Sequence, residues 1–72
     1  MPSKYPILTP QEIVRALKEF GFYFESQRGS HMKYSNGKRS TIVPNHDEVA
    51  KGTLQSILAL AGIDPDDFLG KL

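Results

Sequence analysis

The chain has only 72 residues, and a chain this short can form at most one hydrophobic core. Folding removes only about 60% of the unfolded surface of so small a domain from water, so we expect modest stability. The sequence contains no cysteine, which excludes a disulfide framework and a thiolate metal site as further support. We therefore predict that residues 1–72 form a single domain, whose core either suffices alone or is supplemented by a partner.

The segment that begins at Thr9 is a strong helix start. Thr9 can act as the N-cap, Pro10 suits the first helical position, and Glu12 stands where a capping box requires an acid. Apolar residues then recur at helical spacing on one face, namely Ile13, Val14, Leu17 and Phe20. Gly21 supplies a left-handed stop, so a first helix is predicted from Pro10 to near Phe20.

From residue 22 to residue 44 the pattern changes to short aromatic and β-branched runs separated by turn residues. Asn36-Gly37 is a favoured two-residue hairpin turn. The runs predict three antiparallel strands, near Tyr23–Gln27, His31–Ser35 and Arg39–Val43.

Alternation along the middle strand predicts which side chains face the core. Met32 and Tyr34 should share one face of the sheet, and His31, Lys33 and Ser35 the other. Because the helices of so short a chain can cover only one face, we expect the face that carries His31 to be open.

The C-terminal third predicts two more helices. The first has an amphipathic stripe that ends at Gly62 and consists of Leu54, Ile57, Leu58 and Ala61. Asp64 caps a short final helix, from which Phe68, Leu69 and Leu72 are expected to return to the core. The predicted fold is α+β: an α-β-β-β-α sandwich with a short last helix and a three-stranded antiparallel sheet covered by helices on one face.

The formal net charge is only +1, but the charges are unevenly placed. No acidic residue lies between Gln27 and His46, a stretch that carries both histidines and four cations: Arg28, Lys33, Lys38 and Arg39. Acidic residues gather instead near the C-terminus. We expect one locally positive surface, and charge alone leaves open whether it is an ordinary solvated hairpin or a nucleic-acid interface.

Histidine is the candidate for acid–base chemistry, since His31 and His46 alone have side chains that ordinarily titrate near neutral pH. His31 follows Gly29-Ser30 at the start of a strand, where small residues leave room for a ligand. Taken by itself, a histidine at this position is more often a surface or structural residue than a catalytic one. The two histidines match no metal-ligand spacing, so neither a metal nor another cofactor is predicted.

Lys51-Gly52-Thr53 resembles the end of a phosphate-binding loop, but the upstream glycine of that motif is absent. The segment is better interpreted as an ordinary helix start, whose free backbone amides could still hold a phosphate.

Several short segments occur together in one order. They are Arg15-Ala16-Leu17, Gly21-Phe22, Gln27-Arg28-Gly29-Ser30-His31 with Tyr34, Ile42-Val43-Pro44 with His46, Lys51-Gly52-Thr53-Leu54, Ser56-Ile57-Leu58 and Ala61-Gly62-Ile63. In this order they resemble the HicA toxins of toxin–antitoxin systems. The resemblance extends from about Pro10 to Leu72.

The resemblance implies a fold like that of a double-stranded-RNA-binding domain and ribosome-independent cleavage of mRNA. It also implies neutralisation by a HicB-type antitoxin and places His31 at the position of the family's catalytic histidine. The loop that contains His46 is too variable to transfer a role. His46 therefore stays open between assisting proton transfer, binding phosphate and hydrogen bonding within its loop.

The expected activity is metal-independent transesterification of mRNA, with His31 as general base or general acid. Contacts to RNA are expected from a set of polar and basic residues: Arg28, Gly29, Ser30, Lys33, Lys38, Arg39 and Lys51. Of these, Lys38 and Arg39 rank lower because they flank the hairpin turn. The alternatives are a non-catalytic RNA-binding module of the same fold and a purely structural or interaction domain.

The expected partners are mRNA and an antitoxin that covers the face carrying His31. The first residues lack the basic and apolar regions of a signal peptide, and the longest apolar run, residues 57–63, is too short to span a bilayer. We therefore expect a cytoplasmic protein without a membrane partner.

Overall fold

A computed structural model describes residues 6–72 of the chain. Its elements in chain order are α1 (Pro10–Glu19), β1 (Tyr23–Arg28), β2 (His31–Ser35), β3 (Ser40–Pro44), α2 (Lys51–Ala61) and α3 (Pro65–Leu69). The three strands form one antiparallel sheet in the order β1-β2-β3. The predicted α+β class and element order are confirmed. Within residues 6–72, no helix is long and apolar enough to cross a membrane.

Helix α1 begins with the predicted capping box. The backbone N–H of Glu12 donates to the Thr9 hydroxyl at 3.2 Å, and the Glu12 carboxylate accepts from the Thr9 backbone N–H at 2.9 Å. Hydrogen bonds from the Thr9 backbone and then from its side chain hold the pKa of Glu12 below its ordinary value. The helix ends as predicted, with Phe20 as C-cap and Gly21 at a φ of 83°.

The second hairpin turn, which joins β2 to β3, is centred one residue later than the predicted Asn36-Gly37 turn. The Asn36 backbone N–H donates to the Arg39 carbonyl at 3.1 Å, so the central residues are Gly37 and Lys38. Gly37 takes the left-handed conformation with a φ of 91°. The Asn36 side chain instead accepts from the backbone N–H groups of Lys38 and Arg39, which explains why Asn36 does not occupy a central position. Strand β3 accordingly starts at Ser40.

The core lies between the helices and one face of the sheet. The predicted stripe of α2 is fully buried: Leu54, Ile57, Leu58 and Ala61. Thr41 on β3 is buried too, and its hydroxyl donates to the Ile57 carbonyl at 2.8 Å, which ties the sheet to α2. Phe68 of α3 is completely buried and stacks on Phe20, with ring centroids 6.4 Å apart.

Two burial expectations were wrong. Leu72 is half exposed, because α3 has only five residues and Phe68 already fills the place that its single turn offers to the core. Ser35 was expected on the open face, but it is buried at the end of β2. Its hydroxyl accepts the backbone N–H of Gly37 at 3.1 Å, so the following turn folds over it.

Candidate active site

The face of the sheet away from the helices carries a depression around His31. The strand register pairs His31 with Arg28 on β1 and with Pro44 on β3. Directly paired residues share a face of the sheet, and so do residues two apart on one strand. The depression is lined by Ser26, Arg28, His31, Lys33 and Ile42. The predicted facing is thus confirmed for His31, which is exposed.

The backbone that leads into His31 is held on both sides of a tight turn. Gly29 has a φ of 59°, a conformation that other residues rarely adopt. The Gln27 side-chain amide donates to the Gly29 carbonyl at 2.9 Å, and the Asn45 backbone N–H donates to the Ser30 carbonyl at 2.6 Å. His31 is therefore presented from a fixed turn at the end of the sheet.

The same bond from Asn45 to Ser30 brings the two histidines to one end of the sheet. His46 directly follows Asn45 and is exposed. It does not line the depression around His31. Proximity of the two segments comes from the pairing of β2 with β3, which the sequence positions alone do not disclose.

An acidic side chain that the charge pattern did not include pairs with one of the cations that line the depression. Strand β1 has an irregularity between Phe24 and Ser26, so Glu25 has no partner residue on β2. The Glu25 carboxylate lies 3.4 Å from the Lys33 ammonium, and both side chains are less than half exposed. The cation next to His31 thus already has an anionic neighbour.

Comparison with protein families identifies the chain. The family model described as the HicA toxin of bacterial toxin–antitoxin systems matches residues 10–63, which is more than half of the chain. The chain belongs to the HicA toxin family. The resemblance seen in the ordered sequence segments is confirmed, and the protein is a toxin of the toxin–antitoxin type. No individual curated protein matches the chain.

In this HicA toxin the predicted RNA-contacting residues divide into two groups. Arg28 and Lys33 line the depression with His31, and Gly29 and Ser30 form the turn beside it. The remaining three, Lys38, Arg39 and Lys51, do not line it.

The three outlying cations occupy distinct places in the toxin. Lys38 is in the second hairpin turn, at the far end of β2 from His31, and Lys51 is the exposed first residue of α2. The Arg39 side chain lies over Gly62, close enough that a Cβ built on that glycine would be 2.5 Å from Arg39 Nε. Arg39 therefore packs against the C-terminal end of α2.

Ser26 and Ile42 line the depression although neither stood out in the sequence. Ser26 on β1 and Ile42 on β3 both pair with Lys33. Alternation along those two strands places them on the same face as Lys33, and this pattern could have indicated them in the sequence. Ile42 is 38% exposed and supplies an apolar patch among cations.

Within residues 6–72, no three histidine or carboxylate side chains cluster as metal ligands would.

Proposed function

We propose that this HicA toxin is an endoribonuclease that cleaves mRNA independently of the ribosome and without a metal ion. The observation that carries the proposal is the exposed His31 in a depression that also contains Arg28 and Lys33. A histidine can carry out one of the proton transfers of RNA transesterification, and two cations beside it can stabilise the negative charge that develops on the phosphate. The proposed place of action is the cytoplasm, where mRNA is found.

RNA supplies its own nucleophile, the 2′-hydroxyl. In the proposed reaction the 2′-oxygen bonds to phosphorus while the bond from phosphorus to the 5′-oxygen breaks. One group removes the 2′-proton, another protonates the departing 5′-oxygen, and cations support the negative charge on the phosphorane. We assign one of these two proton transfers to His31.

The two cations have different parts in this proposal. Arg28 stands directly opposite His31 on the neighbouring strand, and its guanidinium can hold two phosphate oxygens at once. Lys33 lies two residues along β2 on the same face and acts as a point charge, shared with Glu25. The scissile phosphate is proposed to lie between these cations.

The test uses end-labelled RNA incubated with the wild-type toxin and with H31A, both in EDTA. We expect the wild type alone to cleave, leaving a cyclic phosphate or 3′-phosphate on one fragment and a 5′-hydroxyl on the other. Since His31 is exposed, the variant should keep the wild-type melting temperature. Metal-dependent cleavage that leaves a 5′-phosphate would contradict the mechanism. RNA binding without cleavage by either protein would indicate a binding module instead.

We further propose that a HicB-type antitoxin neutralises the toxin by covering the face that carries His31. That face combines the cations Arg28 and Lys33 with Ile42, which is 38% exposed, so a partner can bury apolar surface there while pairing with charge. Such a partner would exclude RNA from His31 directly.

A further inference from the structure

A second groove lies on the opposite side of the sheet from His31. Its floor is formed by Met32 and Tyr34, which alternate with His31 and Lys33 along β2 and therefore point to the other face. Its volume is about 440 Å³. None of the residues proposed for RNA cleavage lines this groove.

Helix α1 forms one wall of the groove. The helix buries Ile13, Ala16 and Leu17 in the core, and its neighbouring stripe of Val14, Arg15 and Lys18 faces the groove. The polar amides of Gln11 and Asn45 complete the lining.

Apolar surface continues from the groove onto the edge of the sheet. Phe24 of the edge strand β1 is 52% exposed, and its ring contacts that of Tyr34 edge to face, with centroids 5.8 Å apart. Burial raises the pKa of the Tyr34 phenol above its ordinary value. Val14 and Met32 are half-buried. The groove and its margin therefore offer an apolar strip that folding leaves partly in contact with water.

The charge of the groove has one sign. Arg15 and Lys18 are exposed on the wall that α1 forms. No carboxylate is among the residues that line the groove. Besides the hydrogen bonds from Thr9, the charge of Arg15 also lowers the pKa of Glu12, whose side chain does not line the groove. An occupant would meet an apolar floor and a cationic wall.

We propose that this groove binds an acidic amphipathic helix of a partner protein. Apolar side chains at helical spacing would rest on Met32, Tyr34 and Val14, while carboxylates beside them would pair with Arg15 and Lys18. The lining residues of α1 span two turns, which is the length over which such a helix presents two or three apolar side chains. RNA fits less well, because the cations stand on one wall and the floor is apolar.

This binding would leave the His31 face open. The groove and the depression are on opposite faces of one sheet, so a partner held in the groove need not displace RNA. The inference goes beyond the proposed ribonuclease activity and does not depend on it.

The experiment titrates isotopically labelled full-length toxin with a synthetic helical peptide that has a leucine face and a glutamate face. A control peptide keeps the leucines and replaces every glutamate by lysine, and a short RNA is titrated separately. We expect the acidic peptide to shift the amide signals of Val14, Met32 and Tyr34 and to leave those of Arg28 and His31 in place. The lysine peptide should bind at least about tenfold more weakly.

A matched pair of variants tests the cationic wall. K18E should weaken binding of the acidic peptide about tenfold, whereas K71E, which changes the net charge equally outside the groove, should have little effect. Both residues are exposed, so unchanged melting temperatures should show that the fold is intact. RNA cleavage by K18E should equal that of the wild type, which separates this test from that of the proposed activity.

Four outcomes would overturn the inference. Equal binding of both peptides would show that charge does not contribute to binding. Equal weakening by K18E and K71E would show that the cations on the α1 wall have no special part in it. Peptide-induced shifts confined to Arg28 and His31 would place the docking site on the other face. Shifts at Val14 and Met32 caused by RNA, with none caused by the acidic peptide, would assign the groove to nucleic acid.

Discussion

At the scale of single residues, the Lys33 ammonium has two competing anionic partners in the proposed function. In the free toxin it lies 3.4 Å from the Glu25 carboxylate. Phosphate must take the place of that carboxylate or share the ammonium with it. Partly exposed pairs of this kind contribute little to stability, so changes to either residue should act mainly on RNA binding.

Removing the negative charge of Glu25 should therefore tighten RNA binding. We expect E25Q to bind RNA more tightly than the wild type, because Lys33 is released and repulsion of phosphate falls. K33A and R28A should bind more weakly, and each should reduce the salt dependence by about one unit because one cation no longer neutralises a phosphate. The measurement is RNA affinity across a salt series.

The melting temperature of each of these variants serves as the control. It should stay near that of the wild type. Unfolding of K33A or R28A would mean that the side chain supports the core, and weaker binding by E25Q would mean that Glu25 aids the RNA complex.

At the scale of elements, residues at the helix ends contribute to the stability of α1 and α2. Helix α1 is anchored by the capping box between Thr9 and Glu12, in which the Glu12 carboxylate accepts from the Thr9 backbone N–H at 2.9 Å and from the Thr9 hydroxyl at 3.1 Å. The ionised carboxylate is the better acceptor for both bonds. The lowered pKa of Glu12 means that the folded state favours the carboxylate. Its stabilising effect is thus complete above the ordinary value of 4.5 and is lost as the pH falls through the lower folded value.

Acid should remove the contribution of Glu12 to stability. We expect E12A to be less stable than the wild type at neutral pH and the difference to shrink as the pH drops below about 4.5. The measurement is denaturant unfolding at a series of pH values. E19A, at the other end of α1 and outside the capping box, is the control. A difference between E12A and wild type that stays constant down to low pH would contradict the assigned cause.

Helix α2 offers a matched pair of glycines. Gly62 has a φ of 71° and the Arg39 side chain packed over it, so G62A should destabilise the fold by about 1 kcal/mol or more. Gly52 lies in the first turn of the same helix with nothing within 4 Å of an added Cβ. G52A should be neutral or stabilising by up to about 1 kcal/mol. Thermal unfolding of G62A and G52A checks these two stabilities. The double variant G62A/R39A separates backbone strain from steric overlap.

The double variant G62A/R39A should avoid only part of the stability loss that G62A causes. Removing the Arg39 side chain takes away the steric overlap but leaves the left-handed backbone, so G62A/R39A should stay less stable than R39A alone. Full recovery would show that the overlap accounts for the whole cost. Equal effects of G62A and G52A would contradict the assignment of strain to Gly62.

At the scale of the whole molecule, the small core makes the proposed antitoxin a stabilising ligand as well as an inhibitor. A partner that binds only the folded toxin raises its stability by about 2.7 kcal/mol when free partner reaches 100 times its dissociation constant. The complex should therefore melt at a higher temperature than the toxin alone, and association should be faster at low salt if the cations attract the partner.

Hydrogen exchange should locate the antitoxin. We expect new protection from Gly29 to Tyr34 when a HicB-type antitoxin binds, with loss of RNA binding, because the proposed inhibition is steric. Exchange of the free toxin provides the reference. Protection confined to residues 64–72, with RNA still bound, would rule out coverage of His31 and require inhibition at a distance.

Local sequence patterns were sufficient for most of the fold. The capping box, the glycine stops and the apolar stripe of α2 are interactions among residues a few positions apart, so they can be seen in the sequence before any tertiary contact is known. Strand alternation likewise placed His31 and Lys33 on the open face. The resemblance to HicA toxins, carried by segments in order, was confirmed by the family match.

Tertiary structure decided what lies next to those residues. The irregularity in β1 sets Glu25 against Lys33, and pairing of β2 with β3 brings the His46 loop to the Ser30 turn. The burial of Ser35 and the exposure of Leu72 were likewise not apparent from alternation and spacing. The contacts of Glu25 and of the His46 loop depend on register between strands, whereas the turn after β2 covers Ser35 and the shortness of α3 leaves Leu72 exposed. Sequence periodicity specifies which face a side chain takes, but the neighbours it meets there are determined only when strands and helices pack.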